Sequence, residues 1–146
     1  MIMSNSNKPG ITFWIIGLIA LIWNGWGCFM YIAQAYDMEM ATADLSEEQI
    51  AFLDAMPAWY TALFALAVFS GFIGALMLLM KKGMAVKFFV VSFICALINQ
   101  IYWFFGTDAS TVFDDSNLYV MPVLIIVIGI FLIWHSKDQK AKGILS

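Results

Sequence analysis

The sequence predicts an all-α integral membrane protein, a bundle of four transmembrane helices. Its 146 residues are 63% hydrophobic and only 12% charged, and the mean hydropathy of +0.88 exceeds the usual range of soluble domains. Four intervals contain no charged residue, and each can hold the roughly 20 apolar residues that cross a bilayer. The intervals run between Lys8 and Asp37, Asp54 and Lys81, Lys87 and Asp108, and Asp115 and Lys137. We therefore expect one domain embedded in lipid.

The predicted helices cover residues 11–36, 57–80, 84–105 and 119–135. The second and fourth helices open with a Met-Pro pair, Met56-Pro57 and Met121-Pro122. Proline is tolerated in the first turn, where its missing N–H would have no partner within the helix. The third helix includes Lys87, whose ammonium must extend to the membrane surface.

The first helix has an alternative interpretation as a cleaved signal peptide, since Lys8 precedes an apolar run. That run is about twice the length of a usual signal-peptide core. It also carries Asn24 and Gln34. We therefore expect the first helix to be retained.

A short helix at about 47–55 is predicted between the first two spanning helices. Ser46 can act as its N-cap and Gln49 can complete a capping box, while Leu45 and Ile50 form a hydrophobic staple. The simpler interpretation is a connecting helix that lies on the outward-facing surface of the membrane. The alternative is a lid over a cavity.

The distribution of charge predicts the topology. All seven lysines lie in the amino-terminal tail, in the connection between the second and third helices, or in the carboxy-terminal tail. Nine of the ten acidic residues lie in the other two loops. Because positively charged loops stay in the cytoplasm, both termini are predicted to be cytoplasmic.

The first and third helices align when Asn24 is placed on Asn99. Small or polar residues then coincide at helical spacing: Gly17 with Ser92, Ala20 with Cys95, Gly27 with Tyr102, and Tyr31 with Gly106. Such faces allow close helix packing in membranes. The alignment raises the hypothesis that the two helical hairpins form a parallel repeat. On the second helix, Ala67, Gly71 and Ala75 predict a matching close-packing face.

The spans contain no ionisable residue of the kind that marks a proton relay or ion path. The single histidine, His135, is expected at the end of the fourth helix. Cys28 and Cys95 should differ in depth by roughly 12 Å, too far for a disulfide. No motif predicts a catalytic site, a cofactor, a metal or a nucleic-acid partner. We therefore expect a protein that is not an enzyme.

A candidate site or packing face combines neutral polar side chains with two tryptophans. Its members are Asn24, Gln34, Asn99, Gln100, Tyr31, Tyr102, Trp23 and Trp26. One interpretation is a hydrogen bond from Asn24 to Asn99 or Gln100 that fixes helix register. The other is a small polar cavity, walled by the tryptophans, for a neutral sugar-like solute.

The chain resembles a family of small, uncharacterised four-helix bacterial inner-membrane proteins that are often labelled sugar transporters. The resemblance lies in three stretches: W-N-G-W-G-C-F-M-Y, L-S-E-E-Q-I-A-F-L-D-A-M-P-A-W and V-M-P-V-L-I-I-V-I-G-I-F-L. It implies four helices in the inner membrane and transfers no binding or catalytic residue.

Two functional hypotheses follow. The first is a non-enzymatic protein that acts through helix association, as a homo-oligomer or as an accessory subunit of a larger membrane complex. The second is a small transporter or channel for a neutral polar solute. Four short helices enclose little volume, so both hypotheses predict association.

Overall fold

The computed structural model describes residues 8–36, 38–113 and 119–146, in which all regular secondary structure is helical. Its helices are α1 Ile11–Ala35, α2 Glu39–Thr42, α3 Glu47–Asp54, α4 Ala58–Leu79, α5 Ala85–Phe105, α6 Ala109–Val112 and α7 Val120–Ala141. Four of them, α1, α4, α5 and α7, are long and apolar enough to cross a membrane. This confirms the predicted all-α class. Asp37, Asp114 and Asp115 of the predicted acidic loops lie outside the described residues.

The helix α7 continues to Ala141, beyond the predicted end at residue 135. An ion pair of 2.9 Å joins Lys142 to Asp138 one turn earlier, and Gly143 ends the helix with a φ of 79°. The N–H of Ile144 donates to the Gln139 carbonyl at 3.0 Å, as in a Schellman motif. The predicted end at residue 135 was wrong because the apolar residues stop where the chain leaves the hydrocarbon core, whereas the helix continues beyond that point. His135 therefore lies inside α7 and not at its carbonyl end.

The central helix is α4, which packs along both α1 and α5, while α7 packs along α5. Its small residues Ala67, Gly71, Gly74 and Ala75 are buried, which confirms the predicted close-packing face. A Cβ at Gly71 would collide with the Asn24 side chain and lie 3.0 Å from Ser92 Oγ. The small faces of α1 and α5 thus meet α4 at the same glycine.

The two cysteines lie on α1 and α5, and both are buried free thiols, as the sequence predicts. The Cys28 Sγ donates to the Val68 carbonyl on α4 at 3.3 Å. A Cβ at the preceding Gly27 would lie only 2.8 Å from the Val68 side chain. Cys28 therefore helps to hold α1 against α4.

The basic end of the bundle contains the start of α1, the α4–α5 turn and the segment after α7. Apolar residues of the spanning helices and of that segment form its core, including Phe13, Leu78, Phe89, Leu132 and Leu145. The segment 143–146 pairs with the turn, because the Gly83 N–H donates to the Ser146 carbonyl at 2.8 Å. The Ser146 N–H in turn donates to the Lys81 carbonyl at 3.0 Å.

The acidic end carries α3 and α6 on the side of α4 and α5. The capping box of α3 is confirmed, with Ser46 and Gln49 bonded reciprocally. Gln49 Nε2 also donates to the Val112 carbonyl on α6 at 3.3 Å. Aromatic rings from four segments pack together beneath these helices: Phe52, Trp59, Tyr60, Tyr102, Trp103 and Phe113.

Candidate functional site

A cavity of about 360 Å³ lies between α1, α4, α5 and α7, from the middle of the bundle towards the acidic end. It exists because α1 and α7 flank the bundle without the extended packing that joins the other neighbouring helices. Phe89 and Leu132 line it where the basic-end core begins. Among the described residues, none from α3 contributes to the lining. In this structure α3 is a connecting helix rather than a cover for the cavity.

Six of the eight predicted site residues line this cavity: Trp23, Asn24, Trp26, Gln34, Asn99 and Gln100. The two tyrosines lie elsewhere. The Tyr31 ring stacks on Phe64 of α4 with 6.0 Å between centroids. The Tyr102 ring packs edge-on against Trp59 at 4.6 Å and belongs to the acidic-end aromatic cluster. The prediction grouped all eight residues by residue type. In the structure, the orientation of α1 and α5 about their own axes turns the two tyrosines away from the amides.

Asn24 does not make the predicted hydrogen bond to Asn99 or Gln100. Its Nδ2 donates to the Ala20 carbonyl of its own helix at 2.9 Å. Its amide oxygen faces the backbone of Gly71 on α4. Asn24 therefore closes the contact between α1 and α4 and forms part of the cavity wall.

Asn99 places a buried polar atom without a partner beside the cavity. Its side chain is only 5% exposed, and its Oδ1 is shielded from water without a hydrogen-bond partner in the described part of the chain. A buried polar atom without a partner costs about 1–3 kcal/mol. Rotation of the amide about χ2 exchanges its oxygen and amino group, so Asn99 can offer an acceptor or a donor to a guest.

One wall of the cavity, the one formed by α7, is entirely apolar among the described residues. The amides lie on α1 and α5, whereas α7 contributes Met121, Ile125, Ile128, Gly129 and Leu132. Sequence reasoning missed this apolar wall because α7 looks like an ordinary lipid-facing helix. The signal in the sequence was the glycine at position 129 of this apolar helix. In the structure, a Cβ at Gly129 would collide with the Phe93 ring. The missing side chain lets Phe93 of α5 approach α7.

The mouth of the cavity lies between α1 and α7. Trp26 on α1 is 58% exposed and Met121 on α7 is 52% exposed, so both side chains border the cavity and the surroundings. Nearer the basic end the same two helices come together, where the rings of Phe13 and His135 lie 6.2 Å apart. The mouth therefore faces sideways, towards the lipid that would surround these helices.

Comparisons with protein-family models, curated proteins and solved structures found no match to this chain. The resemblance described from the sequence stays a prediction. The geometry of the cavity therefore carries the functional argument.

Proposed function

We propose that this multi-pass membrane protein is a non-enzymatic carrier that binds a small neutral amphiphile in the cavity between its four spanning helices. One observation carries the proposal: the buried, unpartnered amide oxygen of Asn99 belongs to a side chain that lines this cavity. After rotation of the Asn99 amide about χ2, a guest with a hydroxyl or amide group would supply the missing hydrogen bond. The neighbouring Gln100 offers a further polar contact.

The amides alone suggest a sugar-like solute. The apolar residues of the lining favour a solute with an apolar body instead. A cavity of about 360 Å³ lies in the range of small-molecule sites. A sugar carries hydroxyl groups on every face, and those turned towards Ile125 and Ile128 would lose their hydrogen bonds to water. Each such loss is costly in an apolar environment. A molecule with one or two polar groups avoids that penalty.

The position of the mouth supports entry from the bilayer. An amphiphile dissolved in the membrane would reach the gap between α1 and α7 without crossing the aqueous phase. The contact between Phe13 and His135 closes the same gap at the basic end. A carrier would have to open that contact to release its solute on the other side.

Helix association is the second candidate function, either in a homo-oligomer or as an accessory subunit of a larger complex. In the described part of the chain, α1 packs extensively along one spanning helix only, α4, and α7 along one only, α5. Both flanking helices also present large exposed apolar side chains, such as Ile22 and Val127. A helix from a second copy or from another protein would cover these faces.

Binding of 2-naphthol, naphthalene and glucose to the purified protein tests the carrier proposal. The first two probes share an apolar body, but only 2-naphthol has a hydrogen-bond donor. We expect 2-naphthol to bind, and Asn99→Leu to weaken its binding about tenfold through loss of one hydrogen bond. Thr61→Val removes an exposed hydroxyl of α4 outside the cavity and serves as the matched control. Flux of 2-naphthol across proteoliposomes should follow the same order.

Equal binding of 2-naphthol by the wild type and by Asn99→Leu would overturn the carrier proposal, as would a preference for glucose. Analytical ultracentrifugation of the same samples tests association. A stable oligomer that binds none of the probes would favour the second candidate function. A monomer that binds 2-naphthol through Asn99 would exclude association as a requirement.

We further propose that the protein resides in a bacterial inner membrane with its basic end in the cytoplasm. The lysine distribution supports this orientation. In a background that carries Cys28→Ala and Cys95→Ala, a membrane-impermeant thiol reagent should label Ser110→Cys in intact cells. Labelling of Ser110→Cys only after lysis would reverse the orientation.

A further inference from the structure

A second cavity, of about 640 Å³, lies at the basic end between the start of α1 and the last turns of α7. It is separate from the proposed carrier cavity, because no described residue lines both. Its polar side chains are Lys8, Thr12, His135, Asp138, Gln139 and Lys142. This basic-end crevice therefore differs in charge from the neutral carrier cavity.

His135 is the buried polar group of the crevice. It is only 4% exposed, and its Nε2 has no hydrogen-bond partner among the described residues. Its ring lies almost parallel to Phe131, with 5.9 Å between the centroids. The imidazole is thus held by aromatic contacts, while one of its nitrogens lacks the partner that a buried polar atom normally has.

The charges around His135 favour an anion. Lys8 and Lys142 both line the crevice, and Asp138, the acid among its described lining residues, is already engaged. The Asp138 carboxylate pairs with Lys142 at 2.9 Å and accepts a hydrogen bond from Gln139 Nε2 at 3.2 Å. With Asp138 neutralised by one lysine, the other lysine leaves a net positive charge.

The amino-terminal end of α1 adds to this positive field. Gly10 is its N-cap and offers no side-chain cap, and its first turn contains no acidic residue. The first N–H groups of a helix have no partner within it, and the helix dipole favours an anion there. Gly10 and Thr12 line the crevice, so this helix end borders the same space as His135.

Apolar side chains line the rest of the crevice. Ile16 and Phe131 lie on the spanning part of α1 and α7, and the 60% exposed Trp134 borders the surrounding membrane. Tryptophan favours the level of the lipid headgroups. We propose that this crevice binds the phosphate of an anionic phospholipid, with the headgroup near Lys8, His135 and Lys142 and an acyl chain along Ile16 and Phe131.

Thermal unfolding of the full chain in a zwitterionic detergent tests this site with three probes: dihexanoyl phosphatidylglycerol, dihexanoyl phosphatidylcholine and inorganic phosphate. We expect phosphatidylglycerol to raise the melting temperature at a much lower concentration than either other probe. Lys8→Gln and Lys142→Gln should each weaken its apparent affinity about five-fold. Lys137→Gln changes the same charge on an exposed part of α7 outside the crevice and should have no such effect.

His135→Phe keeps the aromatic contacts and removes the unpartnered nitrogen, so it should fold and bind phosphatidylglycerol about five-fold more weakly. An equal effect of Lys137→Gln and Lys142→Gln would overturn the site, because it would show general surface attraction. Equal binding of phosphatidylcholine would also overturn it. Stabilisation by inorganic phosphate as strong as that by phosphatidylglycerol would identify a soluble anion as the source and overturn the lipid assignment. Binding of 2-naphthol should be the same in Lys142→Gln and the wild type, because Lys142 does not line the carrier cavity, and this separates the test from that of the carrier proposal.

Discussion

The side of the bundle centred on α4 is closely packed, whereas the side between α1 and α7 contains both cavities. On the α4 side, Gly71 lets two helices approach at one level, and the polar groups there are bonded: Asn24 to the Ala20 carbonyl and Ser92 to the Ala67 carbonyl. On the α7 side, two buried polar atoms lack partners in the described residues. On the packed side, backbone carbonyls satisfy the polar groups, that of Asn24 within its own helix and that of Ser92 across to α4. On the side between α1 and α7, the unpartnered polar atoms are those that we propose for ligand binding.

The difference follows from side-chain size at the helix crossings. Membrane helices pack closely where small residues let their backbones approach. Four such residues follow one face of α4. The helices α1 and α7 instead face each other with larger side chains, including Trp23, Trp26 and Ile125. The two helices make no extended contact with each other, and the cavity occupies the space between them.

Gly71→Val should break the packed side and give the largest effect. The new Cβ would lie 2.7 Å from the Asn24 Cγ and 3.0 Å from the Ser92 Oγ. Hydrogen bonds to the Ala20 and Ala67 carbonyls prevent both side chains from moving away freely. We expect the free energy of unfolding to fall by about 3 kcal/mol, measured by equilibrium unfolding in mixed micelles.

Gly25→Ala is the control for this substitution, because a Cβ there would lie 3.5 Å from the nearest atom, in the Phe72 ring. Alanine is also the better helix former, by about 1 kcal/mol. The control should therefore be as stable as the wild type or more so. An equal loss of stability in both variants would contradict the packing assigned to Gly71.

Shortening one apolar side chain on the packed side and one beside the carrier cavity should also distinguish the two sides, with a smaller loss of stability than that of Gly71→Val. Leu78 is fully buried in the basic-end core, so Leu78→Ala leaves a new void and should lower the free energy of unfolding by about 2 kcal/mol. Ile125 already borders the carrier cavity, so Ile125→Ala only enlarges existing space. We expect less than half the loss for Ile125→Ala in the same unfolding assay. Equal losses would mean that the carrier cavity is filled in the folded protein.

Two substitutions on one face of α5 should have small effects of opposite sign. Ser92→Ala removes a 2.6 Å hydrogen bond to the Ala67 carbonyl and should destabilise the protein by about 0.6 kcal/mol. Two turns along, Asn99→Leu removes a buried oxygen that has no partner, and should stabilise the empty protein by about 1 kcal/mol. Unfolding without added ligand measures both changes. A loss of stability in Asn99→Leu would show that its amide serves packing rather than binding.

Much of the candidate site could be predicted from residue type, since neutral amides and tryptophans are conspicuous in an apolar helix. The sequence could not separate Tyr31 and Tyr102 from the other members. Both tyrosines share a helical spacing with an asparagine, but the rotation of α1 and α5 against α4 turns them towards Phe64 and Trp59. The apolar wall on α7 also escaped prediction, because a wall residue and a lipid-facing residue are equally apolar.

The sequence by itself determined the all-α class, the four apolar spans, the capping box of α3 and the small face of α4. Each depends on composition or on contacts between residues a few positions apart. Only the tertiary structure decided that Asn24 bonds within its own helix and that Asn99 lies unpartnered beside a cavity. An asparagine on a helix face can reach several neighbours. Which neighbour it meets depends on the order, rotation and separation of the helices, and periodicity along the chain does not specify these.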